Sequence, residues 1–309
     1  MSGHVRGFFD ERTNTVSYLV WDGPGGRGAI IDPVLDFIPA SDEVRSESAD
    51  LILGAAAEAE VTIDWVLETH VHADHLSAAS LIRERTGARI AISERIAEVQ
   101  RVFAPMFAAA DVSGEGLEFD RLLADGDRIA IGTLEAEVIA VPGHTPADVA
   151  YRIGDSVFVG DSLFMPDFGT ARTDFPGGDS RLLYRSIRRL LELPGETRMF
   201  LCHDYKAPGR DEFAWETSVA EQRESNLHLR GEVSEESFVE MRRARDSTLP
   251  PPALLYPAIQ VNIRAGRFPP PDADGKVRLR LPAKLPADVS GLVGHGRSRL
   301  PGIGRGRHP

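Results

Sequence analysis

A short stretch in the first third of the chain, ETHVHADHLSAA, concentrates side chains that bind metal ions. Within residues 68–79 it places His70, His72, Asp74 and His75 on six consecutive positions. Imidazole nitrogen and carboxylate oxygen are ligands that Zn, Fe and Mn accept in proteins. An exposed polar loop could collect histidines by chance, but the 309-residue chain has only nine of them. The stretch therefore indicates a metal site.

Three more ligand-type residues follow, each directly after an apolar segment that is typical of a strand. His144 lies in the Gly/Pro turn of VPGHT, Asp161 follows SVFVG, and His203 follows MFLC. Taken singly, each of them would more often be an ordinary turn residue. All three share the strand-to-loop setting of the first stretch, which strengthens the interpretation of a metal site.

Strand ends must position these residues, and the neighbouring sequence predicts such strands. A β-rich run, a breaker at residues 23–26 and a second apolar run at residues 29–31 predict an opening hairpin. IDWVLET predicts a strand that ends at the histidine stretch, and LSAASLIRERTGA predicts a helix closed by Gly87. RIAI then predicts a strand, and SERIAEVQRVF a helix capped by Ser93. This alternation indicates an α/β protein.

The second half of the chain predicts a second sheet. Residues 104–125 lack periodicity and predict a loop-like insertion, after which several short apolar runs predict strands with tight turns. SRLLYRSIRRLLEL predicts an amphipathic helix, and RMFLCHDY a strand that leads into a polar turn. Residues 212–245 are mostly helical in composition. We expect one catalytic domain over residues 1–288.

Composition excludes several classes of function. The net charge of −12 disfavours nucleic-acid binding, and no apolar run approaches the roughly 18 residues of a membrane span. The lone cysteine, Cys202, cannot form an internal disulfide, which agrees with a cytoplasmic location, and it is interpreted as a small buried hydrophobe. Residues 289–309 have six glycines, four arginines and no acidic residue, so they predict a disordered basic tail.

The ordered array HxHxDH, GHT, GD and H resembles the metallo-β-lactamase superfamily over about residues 5–265. The resemblance implies an αββα sandwich, two mixed sheets flanked by helices, with a metal site at one edge. It also implies two possible sets of ligands around a bridging Asp161. The sets are His70, His72 and His144 for one metal, and Asp74, His75 and His203 for the other.

Several stretches are similar to the persulfide dioxygenases, in particular to a bacterial form encoded with sulfide-stress genes. These are THVHADHLSAA, PGHTPA, VGDSLF, ARTDFPGGDSRLLYRSI and LPGETRMFLCHDY. The similarity implies oxidation of glutathione persulfide, or a related low-molecular-weight persulfide, by O2 to sulfite and thiol in sulfide detoxification. It implies one Fe(II) per chain held by His70, His144 and Asp161. The remaining ligand-type residues would then orient these ligands through hydrogen bonds: His72, Asp74, His75 and His203.

Glutathione carries carboxylates, so an acidic protein needs local cations to bind it. The resemblance implies that Arg172, Tyr205 and Arg223 contact the substrate. In the alternative interpretation, Arg172 braces its loop by pairing with Asp174, and Arg223 is a solvated helix residue. Two features depart from the family: the insertion at residues 104–125, and Thr170, where some dioxygenases have cysteine. These departures leave the identity of the thiol that carries the persulfide undetermined. Relatives in this family imply a homodimer or homotetramer.

Two other functions fit the same ligand types. A glyoxalase II-like hydrolase would use two Zn ions per chain to activate water for attack on a thioester. Against it stands the absence of a recognisable long helical substrate-binding domain. A non-catalytic metal sensor would need a closed coordination shell, which seven donors around an expected crevice disfavour.

Overall fold

Fifteen strands and seven helices lie within residues 3–283, the part of the chain that the computed structural model describes. In chain order they are β1 His4–Asp10, β2 Thr15–Trp21, β3 Arg27–Ile31, β4 Val34–Ile38, β5 Glu43–Arg45, α1 Glu47–Glu58, β6 Thr62–Leu67, β7 Leu76–Ser77, α2 Ala79–Thr86, β8 Arg89–Ser93, α3 Ile96–Met106, β9 Arg121–Leu123, β10 Arg128–Ile131, β11 Leu134–Ala140, β12 Val149–Ile153, β13 Ser156–Phe158, α4 Ser180–Leu190, β14 Arg198–Phe200, β15 Glu216–Ser218, α5 Val219–Ser225, α6 Glu235–Asp246 and α7 Leu255–Asn262.

The strands form two six-stranded mixed sheets and one small sheet. The first sheet has the order β1-β2-β3-β6-β8-β9, with its last four strands parallel. The second has the order β10-β11-β12-β13-β14-β15 and is antiparallel except for the β13–β14 pair, whose crossover contains α4. A three-stranded sheet of order β5-β4-β7 borders the first.

Three apolar cores hold these layers together. Neighbouring residues of a strand face opposite sides of its sheet, so one strand can contribute to two cores. Ile30 packs with the helices on the outer face of the first sheet, whereas Ile31 packs between the two sheets. Val138 faces the same inter-sheet core, and Ile139 packs against α4 on the far side of the second sheet. The order helix, sheet, sheet, helix confirms the predicted αββα sandwich.

Several predicted elements are confirmed. Strands β2 and β3 pair antiparallel and form the opening hairpin. Gly87 ends α2 in the left-handed conformation with φ 77°, and its N–H donates to the carbonyl of Arg83. Helix α4 is amphipathic as predicted, and the side chain of Asp179 caps its first turn by accepting from two backbone N–H groups.

The predicted cap of α3 is wrong. Ser93 is the last residue of β8, and its hydroxyl accepts a hydrogen bond from the backbone N–H of Arg95 instead of capping the helix. The strand runs one residue further than the RIAI pattern indicated, so the helix begins only at Ile96.

The insertion over residues 104–125 contains the end of α3 and strand β9, so it is more ordered than the sequence predicted. Gln100 of α3 anchors it by accepting from the N–H of Gly116 and donating to Glu118. Arg264, just after α7, forms a bidentate pair with Asp111 at 2.7 and 2.8 Å. The insertion is therefore fixed to the helix layer.

No helix within residues 3–283 is both long enough and apolar enough to cross a bilayer. The predicted basic tail, residues 289–309, and the predicted domain end at residue 288 lie outside the described part of the chain.

Candidate metal centre

Four strand ends bring the predicted ligands to one edge of the sandwich. The loop after β6 carries the histidine stretch, and the turns after β11, β13 and β14 carry His144, Asp161 and His203. Strand β6 belongs to the first sheet and the other three strands to the second. The ligand-type residues therefore meet where the two sheets face each other.

Three of these residues, His70, His144 and Asp161, form a compact triad. One ligand atom from each lies within 4.8 Å of the others. The Nε2 atoms of His70 and His144 are 3.9 and 3.6 Å from Oδ2 of Asp161. Donors that bind one ion at about 2.1 Å lie roughly 3 to 3.5 Å apart, so a small closure of the triad suffices to hold a metal.

Hydrogen bonds to the far side of each imidazole keep its Nε2 available. Nδ1 of His144 donates to the carbonyl of Arg172 at 2.8 Å. Thr69 donates its hydroxyl hydrogen to Asp32 at 2.8 Å, so its oxygen accepts from Nδ1 of His70 at 3.0 Å. Both rings therefore carry their proton on Nδ1, which leaves the Nε2 lone pair for a metal.

The environment of His70 leaves its Nε2 free to bind a cation. Nε2 of His70 is buried and has no hydrogen-bond partner among the described residues. Burial lowers the pKa of His70 well below its usual value, so this ring is neutral and can donate a lone pair. Two neutral imidazoles and one carboxylate are the ligand set of many non-haem iron sites.

A second group, the Asp74 cluster of Asp74, His75 and His203, lies on the other side of Asp161. Nε2 of His203 is 3.2 Å from Oδ1 of Asp161 and 3.4 Å from Oδ2 of Asp74. Nδ1 of His75 is 3.3 Å from the same Asp74 oxygen. Burial alone would lower the pKa of His203, but Asp161 and Asp74 raise it to about 10. A proton on His203, or a second cation, can satisfy these carboxylates.

His72 is directed away from the triad on one side. Its Nε2 is 3.0 Å from Oδ1 of Asp32 and 3.6 Å from Oε2 of Glu68, all deeply buried. Burial lowers the pKa of His72, but Asp32 outweighs this effect and raises it to about 9. Only its Nδ1 remains for the metal centre, and that atom is buried without a hydrogen-bond partner among the described residues.

Asn262 at the end of α7 fixes the loop that carries His72 and His75. Its side-chain amide donates to the carbonyls of both histidines at 2.8 Å, and its Oδ1 accepts from the N–H of Ser77 at 2.8 Å. Nothing in the sequence near residue 262 indicates this role, because both partners are more than 180 positions away along the chain.

A cavity of about 400 Å³ opens onto the triad. His144 and Asp161 lie on its floor, which Asp74 also lines. Its walls are largely apolar: Phe164, Phe168, Phe175, Tyr205, Leu249, Pro250, Pro251 and Pro252. Pockets of this size and character accommodate small organic ligands.

The structure places two of the three predicted substrate-binding residues at this cavity. Tyr205 is 40% exposed, and its ring stacks on His203 with centroids 5.6 Å apart. Arg172 lines the cavity too, but its Nε and Nη2 bind Asp174 at 2.7 and 2.8 Å, and its Nη1 donates to the carbonyl of Pro250 at 2.7 Å. The alternative interpretation of Arg172 as a loop brace therefore describes its contacts.

Arg223 is not brought to the cavity. Its guanidinium donates to the carbonyls of Leu191 and Leu193, just beyond the end of α4. It thus stabilises a helix end, and its predicted contact with substrate has no place in this geometry. Cys202 is buried at 2% exposure, and burial raises its pKa well above the usual value, in agreement with its interpretation as a core residue.

Helix α6 supplies positioning residues that the sequence analysis missed. Arg242 donates to the carbonyl of Thr170 at 2.9 Å and pairs with Asp246, which in turn accepts from the N–H of Thr173 at 2.9 Å. The segment between Thr170 and Thr173 presents the Arg172 carbonyl that orients His144. An Arg–Asp pair four residues apart was visible in the sequence, but its burial was not.

Comparison with known proteins identifies the family of this chain. Residues 10–203 match the family model of the metallo-beta-lactamase superfamily. The chain belongs to this superfamily. The solved structure of ETHE1 from Myxococcus xanthus superposes with a TM-score of 0.69 at 33% identity, covering 85% of this chain and all of that one. The fold is therefore that of the superfamily.

Similar proteins carry names from two kinds of chemistry. A probable metallo-hydrolase of Burkholderia pseudomallei is 47% identical over 90% of this chain and 98% of its own length, and Glyoxylase B2 of Dictyostelium discoideum is 41% identical over 87% and 92%. The human mitochondrial persulfide dioxygenase ETHE1 is 28% identical over 85% and 88%. The comparisons thus support a metal-dependent enzyme with either hydrolase or dioxygenase activity.

Proposed function

We propose that the protein is an Fe(II)-dependent persulfide dioxygenase. The observation that carries the proposal is the triad, in which ligand atoms of two imidazoles and one carboxylate lie within 4.8 Å of one another beside a cavity that His144 and Asp161 line. Three ligands leave coordination positions open for a sulfur atom and for O2. The solved ETHE1 structure, with which the chain superposes, supports the choice among superfamily activities.

The overall reaction would convert a persulfide, O2 and water into a thiol and sulfite. One O2 and one water supply the three oxygens of sulfite; the terminal sulfur is oxidised, O2 is reduced, and the S–S bond breaks to return the thiol. Iron would supply the redox change that zinc cannot. We propose glutathione persulfide, or a related low-molecular-weight persulfide, as the substrate.

The described residues would prepare this reaction in three ways. The hydrogen bonds that His70 and His144 donate to the Thr69 hydroxyl and the Arg172 carbonyl fix the two rings, so the ligands need no rearrangement when substrate arrives. The aromatic and proline walls exclude water from the persulfide, which limits competing hydrolysis. His203 holds a proton at Nε2 beside Asp161 and thereby fixes the orientation of that carboxylate.

The second candidate function is a two-metal hydrolase that acts on thioesters. The Asp74 cluster favours it, because its three ligand-type residues share Asp161 with the triad and could hold a second ion. The names of the two relatives reported above at 47% and 41% identity agree with it. In that reaction the metals would lower the pKa of a water molecule for attack on the acyl carbon.

O2 uptake by metal-defined samples separates the two functions. Metal-free protein is loaded anaerobically with either one Fe(II) or two Zn(II) per chain, and glutathione persulfide is added while O2 and sulfite are measured. The proposal predicts uptake with the iron sample, with sulfite formed in equal amount, and none with zinc. Absence of uptake by the iron sample, together with hydrolysis of S-lactoylglutathione by the zinc sample, would establish the hydrolase instead.

A further inference from the structure

Four arginines line the cavity, and three of them are already bound to carboxylates of the protein: Arg12, Arg172 and Arg242. Arg12 pairs with Asp36 and Glu47, each at 3.2 Å. The other two pair with Asp174 and Asp246, as described above. In each of these three guanidiniums, an ion pair of the folded protein therefore already neutralises the charge and uses part of the donor capacity.

Arg245, the fourth, is different. It is exposed in the last turn of α6, and among residues 3–283 no carboxylate lies within ion-pair distance of its guanidinium. Its guanidinium lies over the ring of Phe168, whose centroid is 5.7 Å from Cζ. Phe168 in turn contacts Tyr205, with centroids 5.0 Å apart, and Tyr205 stacks on His203. Arg245 thus lies on the aromatic wall that leads to the metal centre.

We propose that Arg245 binds a carboxylate of the thiol carrier and so makes the enzyme specific for anionic carriers. The inference rests on the proposed function. A guanidinium offers a planar pair of N–H donors that matches a carboxylate, and an arginine without a protein partner loses no existing ion pair on binding. In a chain of net charge −12, such a cation at the cavity favours the approach of an anionic ligand.

The size of the cavity limits the carrier to small molecules. A volume of about 400 Å³ accommodates a ligand of tripeptide size or smaller, with its persulfide on the triad and a carboxylate at the entrance. Glutathione and cysteine are small enough for this cavity, and both have a carboxylate. A thiol amine without a carboxylate would reach the triad but would lose the contact with Arg245.

The test compares two substrates and a matched control. Arg245→Ala and Arg245→Glu are assayed by O2 uptake with glutathione persulfide and with cysteamine persulfide, which has no carboxylate. The control is Arg243→Ala, which removes the same charge from an exposed residue of α6 that does not line the cavity. For glutathione persulfide we expect KM to rise roughly fivefold in Arg245→Ala and further in Arg245→Glu, with kcat retained.

For cysteamine persulfide, KM should be unchanged in Arg245→Ala and no higher in Arg245→Glu. An equal change of KM for both substrates, or the same rise in Arg243→Ala, would overturn the proposal. Calorimetric titration of each variant with glutathione itself tests binding without turnover. If the wild type shows no O2 uptake but binds glutathione with an affinity that depends on Arg245, the proposed function fails and the anion site stands. If O2 uptake is normal but the affinity for glutathione is the same in the wild type and the Arg245 variants, the proposed role of Arg245 is wrong and the proposed function stands.

Discussion

The triad and the Asp74 cluster meet at Asp161, yet they hold their protons differently. In the triad, both imidazoles donate from Nδ1 to protein oxygens, and burial lowers the pKa of His70, so the Nε2 lone pairs stay available. In the Asp74 cluster, burial would lower the pKa of His203, but two carboxylates raise it to about 10. Ligand-type residues at one edge of a sandwich therefore do not make equivalent metal sites, because hydrogen bonds decide which lone pairs a cation can use.

The largest effect is expected from removal of a triad ligand. His144→Ala should lose iron and lower kcat/KM by more than about a hundredfold, beyond the 10- to 100-fold loss that is typical when an outer partner of a ligand is removed. Iron content and O2 uptake measure the two effects on one sample. His4→Ala, which removes an exposed imidazole at the start of β1, is the control. Full iron content in His144→Ala would exclude this residue from the metal site.

A smaller effect is expected in the Asp74 cluster. His203→Gln should retain one iron per chain, because His203 serves as a hydrogen-bond donor in the proposed dioxygenase, while kcat/KM falls roughly 10- to 100-fold. Metal analysis after gel filtration measures whether His203→Gln retains its iron. A loss of metal as severe as that in the triad variant would make the two groups equivalent and would favour the two-metal hydrolase.

The hydrogen bond between Thr69 and His70 tests whether the partner of a ligand controls iron affinity. Thr69→Val removes the oxygen that accepts from Nδ1 of His70, so iron affinity should fall by about tenfold as the ring loses its fixed tautomer. Thr69→Ser keeps the hydroxyl and should restore the affinity. The measurement is competition for Fe(II) with a chromophoric chelator. Equal affinities in the two variants would show that the side-chain oxygen does not orient the ligand.

Arg223 lies outside the triad and the Asp74 cluster, and its substitution has the smallest expected effect on activity. Arg223→Ala should leave KM and kcat unchanged and reduce the free energy of unfolding by about 1 to 2 kcal/mol, since three hydrogen bonds to carbonyls beyond α4 are lost. Urea denaturation and steady-state kinetics measure both. A raised KM with unchanged stability would return Arg223 to the substrate site.

The sequence allowed the ligands to be found because each follows an apolar strand, and strand ends are where a layered fold gathers side chains. His70, His144 and Asp161 lie far apart along the chain; their common setting marked them as candidates, and the family resemblance grouped them. The αββα class was implied by the resemblance of the ordered motifs to the metallo-β-lactamase superfamily, and the alternation of strands and helices agreed with it. These are local signals, which a single sequence contains in full.

The missing parts depend on contacts between distant segments. Asn262 and the Arg242–Asp246 pair position the ligand loops from helices whose sequences carry no mark of that role. Arg172 and Arg245 are both arginines at the cavity, and only the presence of Asp174 beside the first decides which guanidinium is available. Ser93 was misassigned as a cap because a strand that ends one residue later shifts the helix start.

The ligands of the triad come from both halves of the sandwich: His70 follows a strand of the first sheet, while His144 and Asp161 follow strands of the second. An ion bound by all three would act as a crosslink between two layers that otherwise adhere through an apolar core. Such a staple resists the sliding of one sheet over the other, and its binding energy adds to the stability of the native state. Resistance to heat should therefore report metal occupancy, independently of any catalytic assay.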